Sequence, residues 1–274
     1  MCRLLGLISA TPRSVSDAVG PDAVREFLSL TQIHGDGWGT ARVDAIGTTP
    51  QVEVSAGNAR SDAAFDPALR QAGVGSVVHL RWATTGLAIQ PENSHPFLAD
   101  GVAFAHNGSL RPIELLDGLL TDEIRASVRG TTDSERYFAV VRRHLRQALD
   151  LPTAVVEAVR ELRACYPHAS LNALLLDGEH LVAVHASATS SLPEEDIAEL
   201  RQADLPGEHL EDYFGLRYAR LDDGSVVVGS TGFGALGWQP LPAESVTAIR
   251  LDDQSLYTEL LAPGTGAAHG RVAV

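Results

Sequence analysis

The sequence predicts an α+β protein whose strands and helices are stacked in layers. Its 274 residues lie in the range where one large domain is the usual arrangement. Short apolar runs typical of strands fill most of the first half, two helical patterns follow, and further strand-like runs fill the second half. This block order indicates layers of sheet and helix around a shared core.

The first half contains one helix among several strands. Residues 3–9 are predicted to form a short buried strand, so the start of the chain is tied into the core. Residues 16–30 are predicted to be helical because Val19, Val24 and Phe27 recur near helical spacing. The further predicted strands are 38–43, 51–55, 76–82 and 102–106.

Two helices separate these strands from the second set. Residues 132–149 form the clearest helix, because Thr132 and Glu135 have the spacing of a capping box and an apolar face follows. A second helix is predicted at 153–166, after Pro152. The later predicted strands are 171–176, 180–185, 214–220, 225–229 and 246–251.

We predict a single domain over residues 1–261. Residues 190–212 contain eight acidic residues and one arginine, and they are predicted to be an acidic surface excursion with one short helix. A functional acidic patch is the alternative for this segment. The glycine- and alanine-rich tail, residues 262–274, is expected to fray.

Composition excludes several classes of function. The formal net charge of −14 disfavours nucleic acid as a partner, and no apolar run is long enough to span a membrane. All 21 basic residues are arginine. The chain therefore lacks the lysine that Schiff-base and pyridoxal-phosphate chemistry, the phosphate-binding P-loop and serine–lysine catalysis each require.

The cysteine and histidine patterns predict neither a disulfide framework nor a metal site. There are two cysteines, Cys2 and Cys165, which favours a reducing compartment, and we expect a cytoplasmic protein. The ten histidines show no metal-ligand spacing. No cofactor is expected, and the sequence does not predict an oligomeric state.

Cys2 is the candidate nucleophile. Removal of Met1 would leave a free α-amino group and a thiol on the same residue. The α-amino group titrates near 7.7 to 8.0, so at neutral pH it is partly unprotonated and can accept the thiol proton. The alternative is a cysteine in an ordinary first strand.

His106, Asn107 and Gly108 follow a predicted strand, where an amide side chain and a backbone N–H can converge on one point. Such a pair can form an oxyanion hole, which stabilises the negative oxygen of a tetrahedral intermediate. Asn-Gly is also a strong signal for a hairpin turn, and that alternative stays open.

Charged residues elsewhere suit the ends of an amino-acid substrate. Arg81 is followed by Trp82, Thr84 and Thr85 at a strand end, where a guanidinium can hold a carboxylate by two hydrogen bonds. A structural salt bridge with Trp82 in the core is the alternative. Asp133 lies at a helix start, where it could bind an ammonium group or cap the helix.

A glycine-rich run begins at His34 and is a further candidate substrate contact. Its glycines favour a tight turn, or a close approach of the backbone to a ligand.

Taken in order, the motifs resemble those of the class II glutamine amidotransferases. They are Met1-Cys2-Arg3, His34-Gly35-Asp36-Gly37-Trp38-Gly39, Arg81-Trp82-Ala83-Thr84-Thr85-Gly86, His95-Pro96-Phe97, His106-Asn107-Gly108-Ser109-Leu110 and Thr132-Asp133-Ser134-Glu135.

The resemblance implies a four-layer α/β/β/α sandwich of two antiparallel sheets between helical layers, the N-terminal-nucleophile hydrolase fold. It implies that Cys2 attacks the amide carbon of glutamine or another γ-glutamyl amide, with Asn107 and Gly108 as the oxyanion hole. Arg81, with Thr84 and Thr85, would bind the α-carboxylate of the substrate. Asp133 would bind its α-amino group.

Two positions differ from the larger family members, which usually carry arginine at the place of His34 and histidine at the place of Thr85. Nothing after residue 190 resembles an ammonia-consuming domain, so the resemblance implies a compact, stand-alone amidohydrolase. A glutaminase subunit that feeds ammonia to a separate synthetase is one alternative. A non-catalytic glutamine-binding protein is another.

Overall fold

The chain folds into strands and helices in alternating blocks. A computed structural model describes residues 2–83, 88–203, 205, 208–232, 234–261 and 271–273. In chain order, its elements are β1 (Cys2–Arg13), α1 (Val15–Ser29), β2 (Trp38–Val43), β3 (Gln51–Ser55), α2 (Phe65–Leu69), β4 (Gly73–Arg81), β5 (Phe97–Ala99), β6 (Val102–Asn107), α3 (Glu114–Leu119), α4 (Asp122–Ala126), α5 (Asp133–Leu145), α6 (Leu151–Cys165), β7 (Asn172–Leu176), β8 (His180–His185), α7 (Glu194–Gln202), α8 (Glu208–Glu211), β9 (Leu216–Arg220), β10 (Val226–Ser230), β11 (Gln239–Pro240), β12 (Ser245–Arg250), β13 (Leu256–Leu260) and β14 (Arg271–Ala273).

The described strands form two antiparallel sheets. The first has the order β11-β9-β10-β1-β4-β2-β3, and the second has the order β14-β13-β12-β8-β7-β6-β5. In the first sheet, β1 lies between β4 and β10, so the start of the chain occupies a central strand. This placement fixes Cys2 more firmly than a free terminus would allow.

The two sheets pack face to face and are covered on their outer faces by helices. Leu4 and Ile8 of β1 meet Leu174 and Leu181 of the second sheet in a shared apolar core. The other face of the first sheet packs on α1 and α2, and the other face of the second sheet packs on α3 to α6. Because the central strands are buried on both faces, β4, β7 and β10 are apolar along most of their length, whereas outer strands such as β3 and β9 carry polar residues. The predicted four-layer sandwich is confirmed.

Most predicted strands lie within a few residues of their observed positions. The boundaries of β2, β3 and β8 agree with the prediction. Helix α5 ends earlier than predicted, at Leu145, and Ala148 beyond it has a positive φ of 61°. Helix α6 begins earlier than predicted, at Leu151, because Asp150 caps it and Pro152 is accommodated in the first turn.

Residues 190–212, which we call the acidic cover, form two helices, α7 and α8, rather than the one predicted. The cover is partly buried, because Leu200 is only 1% exposed and packs with Ile33, Trp82 and Tyr213. In the C-terminal segment expected to fray, residues 271–273 pair with β13 as an edge strand instead. Residues 262–270 lie outside the described part of the chain.

Across the described residues, no helix has both the length and the apolar character needed to cross a bilayer.

Candidate active site

Three strand ends bring the predicted site residues together. Cys2 begins β1 and pairs directly with Arg81 at the end of β4. Asn107 ends β6 in the second sheet, and its side-chain Oδ1 accepts a hydrogen bond of 2.9 Å from the Cys2 backbone nitrogen. The candidate nucleophile, the candidate carboxylate-binding arginine and the candidate oxyanion residue therefore lie at one edge of the sandwich.

The Cys2 thiol is buried among hydrogen-bonding groups. Burial alone raises the pKa of the thiol, but the positive charge of the chain N-terminus outweighs this effect together with hydrogen bonds from the His95 side chain and the Trp82 backbone. The resulting pKa is about 7, below the ordinary value for cysteine. The thiol therefore loses its proton more readily than an ordinary cysteine while a positive N-terminal charge lies nearby.

His95 belongs to a pair of buried imidazoles beside the thiol, a contact that the sequence analysis did not predict. Its Nδ1 lies 2.8 Å from Nε2 of His79. Burial, with His79 nearby, lowers the pKa of His95 to about 3, against the opposing effect of Cys2. Burial lowers the pKa of His79 as well. Both rings are thus neutral at pH 7, and one donates a hydrogen bond to the other.

Cys2, His79 and His95 also place three potential metal-ligand atoms within 4.8 Å of one another. This grouping was not expected from the sequence, because the three residues are far apart along the chain. Two nitrogens bound to one tetrahedral zinc ion would lie about 3.3 Å apart. His95 Nδ1 and His79 Nε2 are 2.8 Å apart, a distance typical of a hydrogen bond. These two atoms therefore contact each other, whereas His79 Nδ1 has no hydrogen-bond partner within the described residues and His95 Nε2 has none there besides the Cys2 thiol.

The candidate oxyanion hole lies in the loop after β6. This loop does not turn back as a hairpin, because β6 pairs with β7 and β5 and the chain continues to α3, so the hairpin alternative is wrong. A side chain at Gly108 would place its Cβ 2.1 Å from the Ser170 carbonyl oxygen, so only glycine fits there. Within the described residues, neither the Gly108 N–H nor the Asn107 side-chain amide donates a hydrogen bond.

His106 supports this loop from behind. Its Nδ1 lies 2.9 Å from the Ser134 hydroxyl, and its Nε2 lies 3.0 Å from the Ser170 carbonyl oxygen. The ring is fully buried with both nitrogens engaged. The expected substrate contact would require one of these bonds to break, so the geometry gives His106 a positioning role instead.

Asp133 is the first residue of α5, and its side chain does not cap that helix. Thr132 is the N-cap and accepts a hydrogen bond of 3.1 Å from the Glu135 backbone. Asp133 Oδ2 accepts a hydrogen bond of 2.6 Å from the Leu110 backbone, just beyond Gly108. The carboxylate is thereby held beside the oxyanion loop, and its other oxygen remains available for a cationic ligand.

Arg81 is 3% exposed and forms no ion pair within the described residues, so the salt-bridge alternative finds no support there. Its guanidinium donates instead to the carbonyl oxygens of Asp36, at 3.4 Å, and Ala88, at 3.2 Å. Among the described residues, the hydrogen bonds of this buried cation go to carbonyl oxygens, which leaves its charge able to attract an anionic ligand. The adjoining Thr84 and Thr85 lie outside the described part of the chain.

His34 and Trp82 lie where the acidic cover meets the site. His34 Nε2 is 3.1 Å from Nε2 of His209 in α8, and its ring packs edge-on against Trp82. Tyr213 completes this cluster beside His209. His34 is fully buried, so the structure places it against the cover. His209 and Tyr213 were not predicted, because nothing in their local sequence indicates a partner 175 residues away.

The glycine-rich turn after His34 approaches another backbone segment closely. A side chain at Gly39 would place its Cβ 2.2 Å from the His95 carbonyl oxygen. Asp36, in the same turn, accepts a hydrogen bond of 2.8 Å from the Ala83 backbone. The turn therefore positions the segments that carry His95 and Arg81.

Arg3 is a supporting residue that the sequence analysis missed. Its guanidinium is fully buried and donates to the carbonyl oxygens of Cys2, Thr231 and Tyr213. It also lies 4.0 Å from the centre of the Tyr213 ring. An arginine inside an apolar strand was the available signal, because a buried charge needs dedicated partners.

Comparison with known proteins identifies the family. Residues 1–212 match the family model for class II glutamine amidotransferases. This match spans more than half of the chain and includes the three strand ends that form the site. The chain belongs to the class II glutamine amidotransferases, an enzyme family.

The curated relatives differ in how much of them this chain covers. It is 32% identical over 204 residues to the γ-glutamyl-hercynylcysteine sulfoxide hydrolase of Mycolicibacterium smegmatis, covering 70% of this chain and 82% of that protein. It is 31% identical over 151 residues to a glutamine–fructose-6-phosphate aminotransferase of Xanthomonas campestris pv. campestris, covering 45% of this chain. The matched region is 24% of the length of that aminotransferase.

Solved structures support the fold. A class II glutamine amidotransferase domain protein from Silicibacter pomeroyi has a TM-score of 0.63 at 21% identity, with 96% of this chain and 100% of that chain covered. The glutamine phosphoribosylpyrophosphate amidotransferase of Bacillus subtilis has a TM-score of 0.65 at 16% identity, with 96% of this chain and 50% of that chain covered.

Proposed function

We propose that this protein hydrolyses the γ-amide of glutamine or of another γ-glutamyl compound through a thioester on Cys2. The products are glutamate and ammonia or an amine. The observation that carries this proposal is the 2.9 Å contact between the Cys2 nitrogen and Asn107 Oδ1. It supports a site in which the amine of Cys2, its thiol and the Asn107 amide act on one carbonyl group.

In the first half of the reaction, the Cys2 sulfur attacks the γ-carbon of the substrate. Removal of Met1 makes the Cys2 nitrogen an amine, which takes the thiol proton. The carbonyl oxygen becomes an oxyanion, which the Asn107 side-chain amide and the Gly108 N–H stabilise. The carbon–nitrogen bond then breaks, and the Cys2 ammonium returns the proton to the departing ammonia or amine.

In the second half, water hydrolyses the thioester. The Cys2 amine accepts a proton from water as the water oxygen attacks the same carbon, and the same two donors stabilise the second oxyanion. Collapse of this intermediate releases glutamate and restores the thiol. No cofactor is needed for this balance of atoms and protons.

We assign a binding residue to each charged end of the glutamyl group by its opposite charge. Arg81, with Thr84 and Thr85, binds the α-carboxylate, and Asp133 binds the α-ammonium group. Support for this pairing comes from the hydrogen bonds of Arg81 to carbonyl oxygens and from the fixed position of Asp133 beside Leu110. Trp82 contributes its backbone N–H to the thiol, whereas His34 and His106 position the neighbouring segments.

A glutaminase that passes ammonia to a separate synthetase is the second candidate. It is favoured by the similarity to glutamine–fructose-6-phosphate aminotransferases, of which this chain matches about a quarter. It predicts low hydrolysis by the isolated chain and a rise when the synthetase is added. The stand-alone hydrolase is favoured by the 82% coverage of the Mycolicibacterium relative.

The test is glutamate release from glutamine and from a set of γ-glutamyl amides by untagged protein whose mass shows that Met1 is absent. Cys2→Ala is expected to abolish release, because no thiol then remains to form the thioester. Cys165→Ala is the matched control and should retain activity, since Cys165 lies on α6. Full activity of Cys2→Ala would contradict the proposal. Stabilisation by glutamine without turnover would indicate a binding protein.

A further inference from the structure

A cavity of about 580 Å³ opens directly beside the proposed oxyanion hole. Trp82 and Ala83, which follow Arg81, line one part of it, and Ser109, which follows Gly108, lines another. Its volume lies within the range of pockets that bind small molecules. Neither Arg81 nor Asp133 contributes to its lining.

Two contacts connect this cavity to the reacting atoms. The backbone of Trp82 forms a hydrogen bond with the Cys2 thiol, and the Ser170 hydroxyl donates a hydrogen bond of 2.8 Å to the Asn107 carbonyl oxygen. Trp82 and Ser170 both line the cavity. A substrate whose glutamyl end reaches Arg81 and Asp133 would therefore direct the group on its γ-nitrogen into this space.

The cavity is lined by charges of both signs. Arg111 lies in the segment after the oxyanion loop, whereas Glu195 and Asp196 lie at the start of α7 in the acidic cover. Among the described residues, none of these three side chains has an ion pair or a hydrogen bond. Burial raises the pKa of Asp196, consistent with its partly enclosed position. Arg111 and Glu195 are exposed, whereas Asp196 is half-buried and the positive charge of the chain N-terminus lowers its pKa against the larger effect of burial. Charges that line a cavity without an ion pair are suited to a charged ligand.

Acidic residues in the first turn of a helix often serve the helix dipole alone. The cavity that Glu195 and Asp196 line is also lined by Arg111 and by the aromatic residues Trp82 and Phe214, so a role at the helix start alone does not account for this set of groups. This arrangement matches a ligand that has an apolar stem, a positive group at one end and a carboxylate at the other.

We propose that this cavity binds the leaving group and selects γ-glutamyl conjugates of basic amino acids over glutamine. Arg111 binds the carboxylate of the leaving amino acid, Glu195 and Asp196 bind its side-chain cation, and its methylene stem lies along Trp82 and Phe214. This inference rests on the proposed γ-glutamyl hydrolysis. The amino acid departs as a free amine, protonated at nitrogen by the Cys2 ammonium as described above.

Three synthetic substrates test this selection. They are γ-glutamyl-lysine linked through the α-nitrogen of lysine, γ-glutamyl-norleucine, which lacks only the side-chain ammonium, and γ-glutamyl-cadaverine, which lacks only the carboxylate. We expect kcat/KM for the lysine conjugate to exceed that of each of the others by about two- to fivefold, the range of an exposed charge pair. Equal values for the lysine and norleucine conjugates would overturn the proposal.

Substitutions of the charged lining residues test which of them binds each end of the leaving group. Glu195→Gln combined with Asp196→Asn should abolish the preference for lysine over norleucine, and Arg111→Gln should abolish the preference for lysine over cadaverine. Glu199→Gln is the matched control, because Glu199 is an exposed acid of the same helix that does not line the cavity. It should leave both preferences unchanged. Loss of the lysine preference in this control as well would indicate a general effect of charge and contradict the assignment.

Binding to the Cys2→Ala variant separates this inference from the proposed function. Calorimetry with the same three conjugates requires no turnover, so a preference for the lysine conjugate would support the cavity even if hydrolysis were absent. Hydrolysis of glutamine that depends on Cys2, with no preference among the conjugates in either assay, would leave the proposed function intact and overturn the leaving-group assignment.

Discussion

The reaction centre and the acidic cover differ in how their polar groups are used. In the reaction centre, formed by Cys2, Asn107 and Gly108 with their immediate partners, buried polar groups are held by neighbouring strands and loops. In the acidic cover, Glu195 and Asp196 face a cavity and have no partner among the described residues. The polar groups of the first region are held in fixed positions. The carboxylates of the second region remain free to interact with a ligand.

This difference separates two tasks of an amide-hydrolysing enzyme. Stabilising an oxyanion requires donors that are already in place, because reorganisation during the reaction would reduce the gain. Recognition of a leaving group requires uncommitted charges whose interaction with the ligand replaces interaction with water. Substitutions in the two regions should therefore have different consequences, and the following predictions are arranged from the largest expected effect to the smallest.

Gly108→Ala should cause the largest loss of activity among these variants. The new Cβ would lie 2.1 Å from the Ser170 carbonyl oxygen, so the loop must shift and the Gly108 N–H must move with it. Displacement of one oxyanion donor is expected to lower kcat by about 100- to 1,000-fold. Steady-state kinetics on glutamine would measure this loss.

Gly118→Ala is the matched control, because a Cβ there meets nothing within 4 Å and Gly118 lies within α3. It should retain activity and stabilise the protein slightly, since alanine favours a helix more than glycine does. Full activity of Gly108→Ala would show that the oxyanion is stabilised elsewhere.

The sequence indicated which residues of the candidate site would lie together better than it indicated their surroundings. Cys2, Asn107 and Asp133 each lie in a short motif whose chemistry can be interpreted locally, and strand ends then bring the motifs together. The strand positions were predicted well because apolar β-forming runs bounded by turns are also local signals. Short helices such as α3 and α4 gave no such signal and were missed.

Contacts between distant segments could not be predicted in this way. His79 in β4 contacts His95, which lies 16 positions later in the chain, and His34 contacts His209 across 175 positions in sequence. Each histidine alone is compatible with an ordinary core residue. Their pairing depends on the tertiary packing of loops, which leaves no periodic trace in the sequence.

His95→Gln should shift the pH dependence of the nucleophile. The hydrogen bond from His95 is among the effects that lower the pKa of Cys2 to about 7, so its weakening should raise that pKa. The thiolate then forms at higher pH, and the rate of alkylation by iodoacetamide should rise at correspondingly higher pH. A Cys165→Ala background confines the reaction to Cys2.

At pH 7, we expect the His95→Gln variant to hydrolyse glutamine more slowly by about fivefold, because a rise of about one unit from a pKa of about 7 lowers the thiolate fraction from about one half to about one tenth. His180→Gln is the control, because His180 lies at the turn between β7 and β8 and contacts Asp177 rather than the site. An unchanged alkylation profile in His95→Gln would show that the imidazole pair does not influence the thiol.

Leu200→Ala should have the smallest effect on catalysis and should report how the acidic cover is attached. Leu200 is 1% exposed and packs with Ile33, Trp82 and Tyr213 in a small cluster, whereas Leu174 is fully buried in the core between the two sheets. Buried leucine-to-alanine changes cost about 2–5 kcal/mol of unfolding free energy, and the cost depends on how well the site can relax.

We expect Leu174→Ala to lie near the upper end of that range and Leu200→Ala near the lower end, because α7 packs on the sandwich through few apolar contacts and can open locally. Urea denaturation of both variants would measure the difference, and hydrogen exchange would show whether the amides of α7 lose protection first in Leu200→Ala. If both variants lost the same unfolding free energy, and if the amides of α7 exchanged no earlier than those of the core, the acidic cover would unfold together with the core. The cavity wall would then be as fixed as the oxyanion loop, and leaving-group selection would depend on a preformed shape rather than on an adjustable surface.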